Sequence, residues 1–133
     1  LAEHGIEADP ELITEGDFTT SSGYAQSISL LKRPNRPTAI FAGSDLQAMG
    51  VYEAARQLGL RIPEDLSVVG FDDVQTAAFL GPALTTVRQP LQDMARAAVR
   101  MLVEALSTGD VIQPHIIMPT SLVVRNSTQQ LEG

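Results

Sequence analysis

The sequence predicts an α/β domain built on a doubly wound, mostly parallel sheet. Short apolar strands alternate with helical segments in the order β-α-β-α-β-x-β-α-β, which is typical of parallel strands joined by crossovers. The clearest evidence is a pair of strand-like runs, residues 37–45 and 62–73, that each have an apolar core and end on carboxylates. Ligands of open parallel sheets bind beyond the carboxyl ends of the strands, so these runs also indicate where a binding site would lie.

Composition is that of a globular chain and excludes several classes of function. Of 133 residues, 44% are hydrophobic and 19% are charged, and there is no cysteine, which excludes disulfides, thiol nucleophiles and zinc–thiolate sites. No apolar run approaches the ~20 residues of a membrane helix, so we expect no membrane partner. A net charge of −7 with only nine Lys and Arg argues against DNA binding by this segment itself.

The elements at the start of the chain are predicted from caps and short apolar runs. Residues 1–4, closed by Gly5, indicate the last turn of a helix whose beginning lies outside the chain. Residues 12–14 indicate a short strand. Ser22 is then the predicted N-cap of a helix with apolar residues at spacing i, i+4, i+7, namely Tyr24, Ile28 and Leu31.

The two carboxylate-ending runs frame the second predicted helix. Residues 39–42 and 66–71 are the strands of these runs. Between them, Ser44 and Gln47 have the spacing of a capping box, and Gly59 is the residue that ends the helix. One face of this helix is apolar, and it comprises Ala48, Val51, Tyr52 and Ala55.

The last part of the chain predicts an irregular turn, a strand, a long helix and a final strand. Residues 73–80 are irregular with one possible helical turn, and residues 84–87 form a strand. Pro90 opens a helix at the N1 position that proline favours, and Gly109 ends it. Its apolar stripe has the clearest helical period in the chain and comprises Leu91, Met94, Ala95, Ala98, Leu102 and Ala105. Residues 115–125 predict a strand interrupted near Pro119.

Carboxylates and aromatics gather at the predicted carboxyl edge of the sheet, and they are Asp17, Asp45, Asp72, Asp73, Phe18 and Phe71. Three chemistries remain open for this group. Carboxylates and an aromatic face could bind a polar ligand, a carboxylate cluster could hold Mg²⁺ for phosphoryl transfer, and a carboxylate at N1 could simply favour the helix dipole.

The local pattern favours different roles for these residues. Asp45 is interpreted as a helix-capping residue, because the capping box around it is complete. Asp72 is interpreted as a ligand contact, because no helix start follows it, although a loop-stabilising turn is the alternative. Phe18 fits core packing or ligand contact equally well. Asp17 and Asp73 are interpreted as solvated or structural.

Motifs of common enzyme classes are absent from the sequence. There is no GxGxxG or GxxxxGK[ST] phosphate loop and no GxSxG elbow. His4 and His115 lie far from the carboxylates along the chain. We therefore expect no catalytic residue, no metal and no cofactor, and we predict that the protein is not an enzyme. A Mg²⁺-dependent phosphotransfer or hydrolase domain is the enzyme-class alternative.

A series of segments along the chain carries a family resemblance through its order and spacing, and the segments are residues 16–18, 22–24, 36–41, 44–45, 48–50, 59–65, 67–73, 82–90 and 121–125. Among them are Ser-Val-Val-Gly-Phe-Asp-Asp at 67–73 and Leu-Thr-Thr-Val-Arg-Gln-Pro at 84–90. In this order they resemble the effector-binding core of LacI/GalR-type bacterial transcriptional regulators, which is itself similar to periplasmic sugar-binding proteins.

The resemblance implies a type I periplasmic-binding-protein-like lobe that is truncated at its N-terminus. Residues 1–88 and 111–130 would form the C-terminal lobe of the effector-binding core. Residues 89–110 would be a crossover and a helix of the otherwise missing N-terminal lobe, which explains the strong apolar stripe of that helix. Residues 131–133 would be a tail or a cloning scar.

The resemblance also implies the function and four effector contacts. The domain would bind a small polar effector such as a sugar, nucleoside or purine in the cleft between lobes and thereby change operator affinity. Phe18 would stack on the effector, Ser44 and Asp72 would be polar contacts, and Gln89 would lie at the crossover beside the cleft.

A cytoplasmic homodimer is implied as well, with operator DNA bound only through a helix-turn-helix segment absent from this chain. Met49, Tyr52 and Phe79 would then lie at the two-fold interface, although ordinary core packing is the alternative for such residues. A periplasmic solute-binding protein of a sugar transport system remains the alternative function. Residues 84–90 favour the repressor.

Overall fold

A four-stranded sheet lies at the centre of the computed structural model, which describes residues 3, 5, 7–109 and 115–130. Strands β1 (Ala39–Phe41), β2 (Ser67–Asp72) and β3 (Thr85–Arg88) pair in parallel, and β4 (Ser121–Val123) pairs antiparallel with β3. The strand order within these residues is β1-β2-β3-β4. The α/β class with a mostly parallel sheet is therefore confirmed, and β1, β2 and β3 all end at one edge.

Two helices, α1 (Thr20–Leu31) and α2 (Asp45–Gln57), pack on each other, and α2 also packs on β2. The two helices approach closely because each has a glycine at the contact. A Cβ on Gly23 would lie 2.3 Å from the Gln47 carbonyl oxygen, and one on Gly50 would lie 2.2 Å from the Thr20 carbonyl oxygen. The core between these helices and the sheet includes Leu31, Ala48, Val51, Ala54, Leu66, Val68 and Leu84.

Helix α2 begins and ends where the sequence predicts. The Ser44 hydroxyl accepts a hydrogen bond from the Gln47 amide at 3.1 Å, and Gly59, at a φ of 69°, follows the last turn. The predicted cap of α1 is wrong by three residues. Thr19, not Ser22, is the N-cap, and its hydroxyl accepts from the Ser22 amide at 3.1 Å.

The predicted strand at residues 12–14 is wrong. Pro10–Leu12 is a 3₁₀ turn, in which the Asp9 carboxylate accepts from the Glu11 amide at 2.9 Å. Proline fixes the backbone for such a turn, and Ile13 is 67% exposed, so no packing favours a strand. The predicted helical turn at residues 1–4 falls mostly outside the described residues.

The last part of the chain agrees with the prediction at one position and differs from it at two. A 3₁₀ turn occupies Gln75–Phe79, as the irregular segment predicted. Pro90 is at the N-cap rather than N1 of α3 (Leu91–Thr108), which ends at Gly109. The predicted strand at 115–125 is too long. Within it only β4 pairs with the sheet, and β4 begins after Pro119, whose nitrogen has no hydrogen to donate to a sheet.

Helix α3 is unusual because none of its side chains is buried in the part of the chain that the structure describes. Leu102 is 60% exposed and Leu106 is 77% exposed. A groove of about 520 Å³ separates α3 from residues 115–120, and Met94, Met101 and Met118 line it. None of the described helices is both long enough and apolar enough to cross a membrane.

Candidate functional site at the carboxyl edge of the sheet

Two of the predicted effector contacts meet where β2 and β3 end. Asp72 is the last residue of β2 and pairs in register with Arg88, and Gln89 follows directly. The Gln89 side-chain amide donates to Asp72 Oδ1 at 2.7 Å, and both side chains are partly buried. The crossover residue and the predicted carboxylate contact are thus held together at this edge.

The backbone that carries Asp72 is strained. Asp72 has a φ of 116° and Asp73 has a φ of 59°, so two consecutive non-glycine residues have a positive φ. Such conformations persist only where the surroundings fix them, and they occur preferentially at ligand sites. The strain therefore supports a functional role for the 72–74 loop, defined here as Asp72, Asp73 and Val74.

Asp73 is a structural carboxylate, which confirms its interpretation from the sequence. Its side chain is 8% exposed and forms ion pairs of 2.6 Å with both Arg88 and Arg125. Burial alone would raise the pKa of Asp73, but the hydrogen bonds from Arg125 and Arg88 outweigh it and hold that pKa below the ordinary value. Arg125 also donates to the carbonyl of Leu84, just before β3, at 2.7 Å, so it links Asp73 to the start of that strand.

Asp45 lies at the first position of α2, as predicted, but its carboxylate does more than favour the helix dipole. The residue is fully buried. Its Oδ1 accepts from the Thr86 hydroxyl at 2.6 Å, and its Oδ2 accepts from the Val74 amide at 2.8 Å. A carboxylate with no exposed surface and two internal donors is not available to a ligand.

The other two predicted contacts, Phe18 and Ser44, meet at the neighbouring strand end. Ser44 is 5% exposed, and besides capping α2 its hydroxyl donates to the Phe18 carbonyl at 3.5 Å. Phe18 has a φ of 63° and is 64% exposed, so it is not a core residue in the described structure. An exposed aromatic side chain with a fixed, unusual backbone is suited to covering the apolar face of a ligand.

Asp17 fixes the turn that presents Phe18. Its Oδ1 accepts from both the amide and the hydroxyl of Thr19, at 3.1 and 2.6 Å. Hydrogen bonding from the Thr19 side chain, followed by that from Ser22, lowers the pKa of Asp17 to about 2. The structural interpretation of Asp17 is therefore confirmed.

The carboxylates at this edge are engaged in separate hydrogen bonds rather than gathered around one point. Among the residues that the structure describes, no group of three or more His, Asp or Glu side chains is placed to hold a metal ion. The described edge thus carries carboxylates with separate internal partners, and the exposed Phe18 ring lies near the neighbouring strand end.

The predicted interface residues lie on a different surface. Met49 and Tyr52 are partly buried on α2, and Phe79 is 80% exposed at the end of its 3₁₀ turn. The Tyr52 hydroxyl donates to the Pro82 carbonyl at 2.9 Å, and burial raises the pKa of Tyr52 to about 12. Phe79 is thus the residue of this set that the described structure leaves uncovered.

Three residues that hold the edge together were not found from the sequence: Thr86, Arg88 and Arg125. Their partners are 41, 15 and 52 residues away along the chain, so no local spacing indicates them. One signal was available. Gly70 interrupts an otherwise apolar strand, and a glycine inside a strand often marks the close approach of another group.

Comparison with known proteins identifies the family of this chain. Residues 1–128 match the family described as periplasmic binding protein-like domain. The chain is 39% identical over 131 residues to the HTH-type transcriptional repressor CytR of Escherichia coli (strain K12). The aligned region covers 98% of this chain and 38% of CytR. The chain therefore belongs to the family of periplasmic binding protein-like domains.

Solved structures define its place in that family. A complex of the transcriptional regulator CelR with cellobiose has a TM-score of 0.90 and 37% identity, over 95% of this chain and 38% of that chain. A LacI family transcriptional regulator from Enterococcus faecium with bound ribose has a TM-score of 0.79 and 28% identity, over 86% of this chain and 42% of that chain. The chain is thus similar in sequence and fold to transcriptional regulators that include one of the LacI family, which confirms the resemblance seen in the sequence.

Proposed function

We propose that this chain is the effector-sensing domain of a DNA-binding transcriptional repressor, and that it binds a small polar molecule such as a sugar or purine to change operator affinity. The observation that carries the proposal is the strained Asp72, held by Gln89 at the carboxyl edge of the sheet. The chain spans 38% of the length of CytR, so DNA binding is assigned to a segment outside it. A transport protein is not favoured, because the relatives compared are transcriptional regulators.

The chemistry of the edge supports a hydroxylated or heterocyclic effector. A carboxylate has about four lone-pair positions, and Asp72 uses one of them for Gln89. The others can accept from a sugar hydroxyl or a ring N–H, and the exposed Phe18 ring can cover the apolar side of such a ring. Ser44, whose hydroxyl donates to the Phe18 carbonyl, is the second polar contact of the proposal. The bound cellobiose and ribose of the two related structures belong to the same chemical class.

The division into lobes and the assembly state form part of the same proposal. Residues 1–88 and 111–130 belong to the C-terminal lobe, and residues 89–110 are a crossover and a helix of the N-terminal lobe. The exposed apolar stripe of α3 supports this division, because a second lobe would cover it. The regulator is a cytoplasmic homodimer with Met49, Tyr52 and Phe79 at its interface, and the exposure of Phe79 supports that role. It has no catalytic activity.

The proposal is tested with the full-length regulator and the substitution Asp72→Asn. Asparagine keeps the shape of the side chain and tolerates a positive φ, but it removes the charge. Losing a hydrogen bond to a charged group costs about 1.5–3 kcal/mol, which is roughly 10- to 100-fold in Kd. Titration calorimetry with ribose, cellobiose, adenosine and adenine, followed by operator binding with and without the compound that binds, gives both readouts.

A matched control is Glu64→Gln, which neutralises an exposed carboxylate before the start of β2, at the opposite edge of the sheet. Its Kd is expected to equal that of the wild type. An unchanged Kd in Asp72→Asn would remove Asp72 from the site. Absence of binding by all four compounds, or binding without any effect on operator affinity, would overturn the proposed function.

A further inference from the structure

Asp45 is a fully buried carboxylate that the proposed effector contacts leave without a role. Both of its oxygens are engaged by donors from distant parts of the chain, the Thr86 hydroxyl at 2.6 Å and the Val74 amide at 2.8 Å. Neither donor is charged, and in the described part of the chain no ion pair involves Asp45. A buried carboxylate without a cation is expensive, so stability alone is a poor reason for its presence.

The backbone of β2 is shaped to admit this carboxylate. A Cβ at Gly70 would lie 2.3 Å from Asp45 Oδ1 and 2.9 Å from a methyl carbon of Leu84. Only glycine leaves this space open. The carboxylate therefore has one position, directly over β2 and beside Thr86 of β3.

What the carboxylate holds is the 72–74 loop. Val74 donates to it, and the two residues before Val74 are the strained Asp72 and Asp73. Asp73 is fixed separately by Arg88 and Arg125, and Asp72 contacts Gln89. A loop with two consecutive residues of positive φ keeps its conformation only when contacts on both of its sides hold it. Without the bond to Val74, the loop would lose its anchor on the side facing α2.

We propose that Asp45 and Thr86 are positioning residues for effector binding. They hold the 72–74 loop so that the Asp72 carboxylate points to the effector, and they thereby set effector affinity without touching the effector. This inference rests on the proposed function, in which Asp72 is an effector contact.

The main variant is Thr86→Val in the full-length regulator, which removes the hydroxyl donor and keeps the side-chain volume close to that of threonine. The probe is whichever of ribose, cellobiose, adenosine or adenine binds the wild type in calorimetry. Coupled neighbours interact by about 0.5–3 kcal/mol, so Kd is expected to rise at least about 2-fold. Thr86→Ser, which keeps the hydroxyl, is expected to restore affinity to near the wild-type value.

A structural role alone would not produce the expected coupling with Asp72. In an Asp72→Asn background, Thr86→Val is expected to add no further rise in Kd, because the contact that it positions is already weakened. Ser127→Ala is the control for a lost buried hydroxyl, since Ser127 is fully buried, accepts from the Thr85 amide and donates to the Val68 carbonyl, away from the loop. It is expected to lower stability and leave Kd unchanged.

The outcomes separate this inference from the function on which it rests. If Asp72→Asn weakens binding and Thr86→Val does not, the positioning role is wrong and the proposed site stands. If Thr86→Val weakens binding equally with and without the Asp72 carboxylate, its effect is structural and the inference is again overturned. If Asp72→Asn has no effect, the proposed site itself is wrong.

A second measurement needs no effector. Amide hydrogen exchange at Val74 is expected to be slow in the wild type and clearly faster in Asp45→Ala, which removes both acceptor oxygens. Equal protection of Val74 in the two proteins would show that Asp45 does not anchor the loop, and it would overturn the inference.

Discussion

Replacing Gly70 with alanine is expected to be among the most damaging small changes in this domain. The added methyl group would lie 2.3 Å from Asp45 Oδ1, whereas ordinary contact begins at 3.4 Å, so the carboxylate must retreat by about 1 Å. On the other side, the methyl group would lie 2.9 Å from Leu84, which is fully buried in the core and has little room to move.

The expected cost follows from what holds the carboxylate in place. Its bonds to Thr86 and Val74 are 2.6 and 2.8 Å long, and a shift of about 1 Å breaks at least one of them. A lost hydrogen bond to a charged group costs about 1.5–3 kcal/mol, and overpacking of a core costs about 1–3 kcal/mol. Together they lower the free energy of unfolding by roughly 2.5–6 kcal/mol, a large part of the 5–15 kcal/mol typical of a domain.

Urea denaturation followed by circular dichroism measures this change, with the slope m compared between proteins to check that unfolding remains comparable. Gly81→Ala is the matched control, because a Cβ there has nothing within 4 Å, and its expected effect is within about 0.5 kcal/mol. A Gly70→Ala protein within about 1 kcal/mol of the wild type would refute the reasoning, since the buried carboxylate would then be free to move.

The remaining predictions concern Asp73 and Ser44. Asp73→Asn is expected to cost about 2–3 kcal/mol, mostly through Arg125, since Arg88 is 56% exposed. Because the pKa of Asp73 is lowered in the folded state, Asp73 stabilises the fold above its ordinary pKa near 4, and this stabilisation is lost as pH falls through the folded pKa. In thermal unfolding from about pH 7 to about pH 3, the Asp73→Asn variant should therefore lose less stability than the wild type. Parallel plots of stability against pH for the two proteins would contradict this. Ser44→Ala removes the α2 cap and is expected to cost about 1 kcal/mol by urea titration, whereas the exposed Ser29→Ala should cost nothing measurable.

The sequence was sufficient where the signal is local. Helix α2 could be predicted at both ends, because its cap at Ser44 and its terminator at Gly59 lie next to the helix that they bound. The strands β1 and β2 could be predicted because each is a short apolar run that ends in polar residues. Local signals also produced the errors: residues 12–14 are apolar, but Asp9 and Pro10 favour a turn and nothing covers it.

The site could be predicted only in part, because its geometry depends on contacts between distant residues. Strands β1, β2 and β3 end at one edge of the sheet, as predicted, and Gln89 donates to Asp72 there. The capping interpretation of Asp45 was correct about its position on α2 but could not indicate Thr86 or Val74. Those partners become neighbours only after β2 and β3 pair. The effector roles of Phe18, Ser44, Asp72 and Gln89 stay predictions.

The bonds made by the segment after β4 constrain the order in which this chain can fold during synthesis. Ser127 donates to the Val68 carbonyl, and Arg125 completes the ion pair of Asp73, yet both residues are translated after α3. A ribosome therefore releases β1, β2 and β3 well before the groups that secure them exist. During that interval the Asp73 carboxylate lacks its Arg125 partner, so the 72–74 loop gains that ion pair only after the segment that follows β4 has emerged.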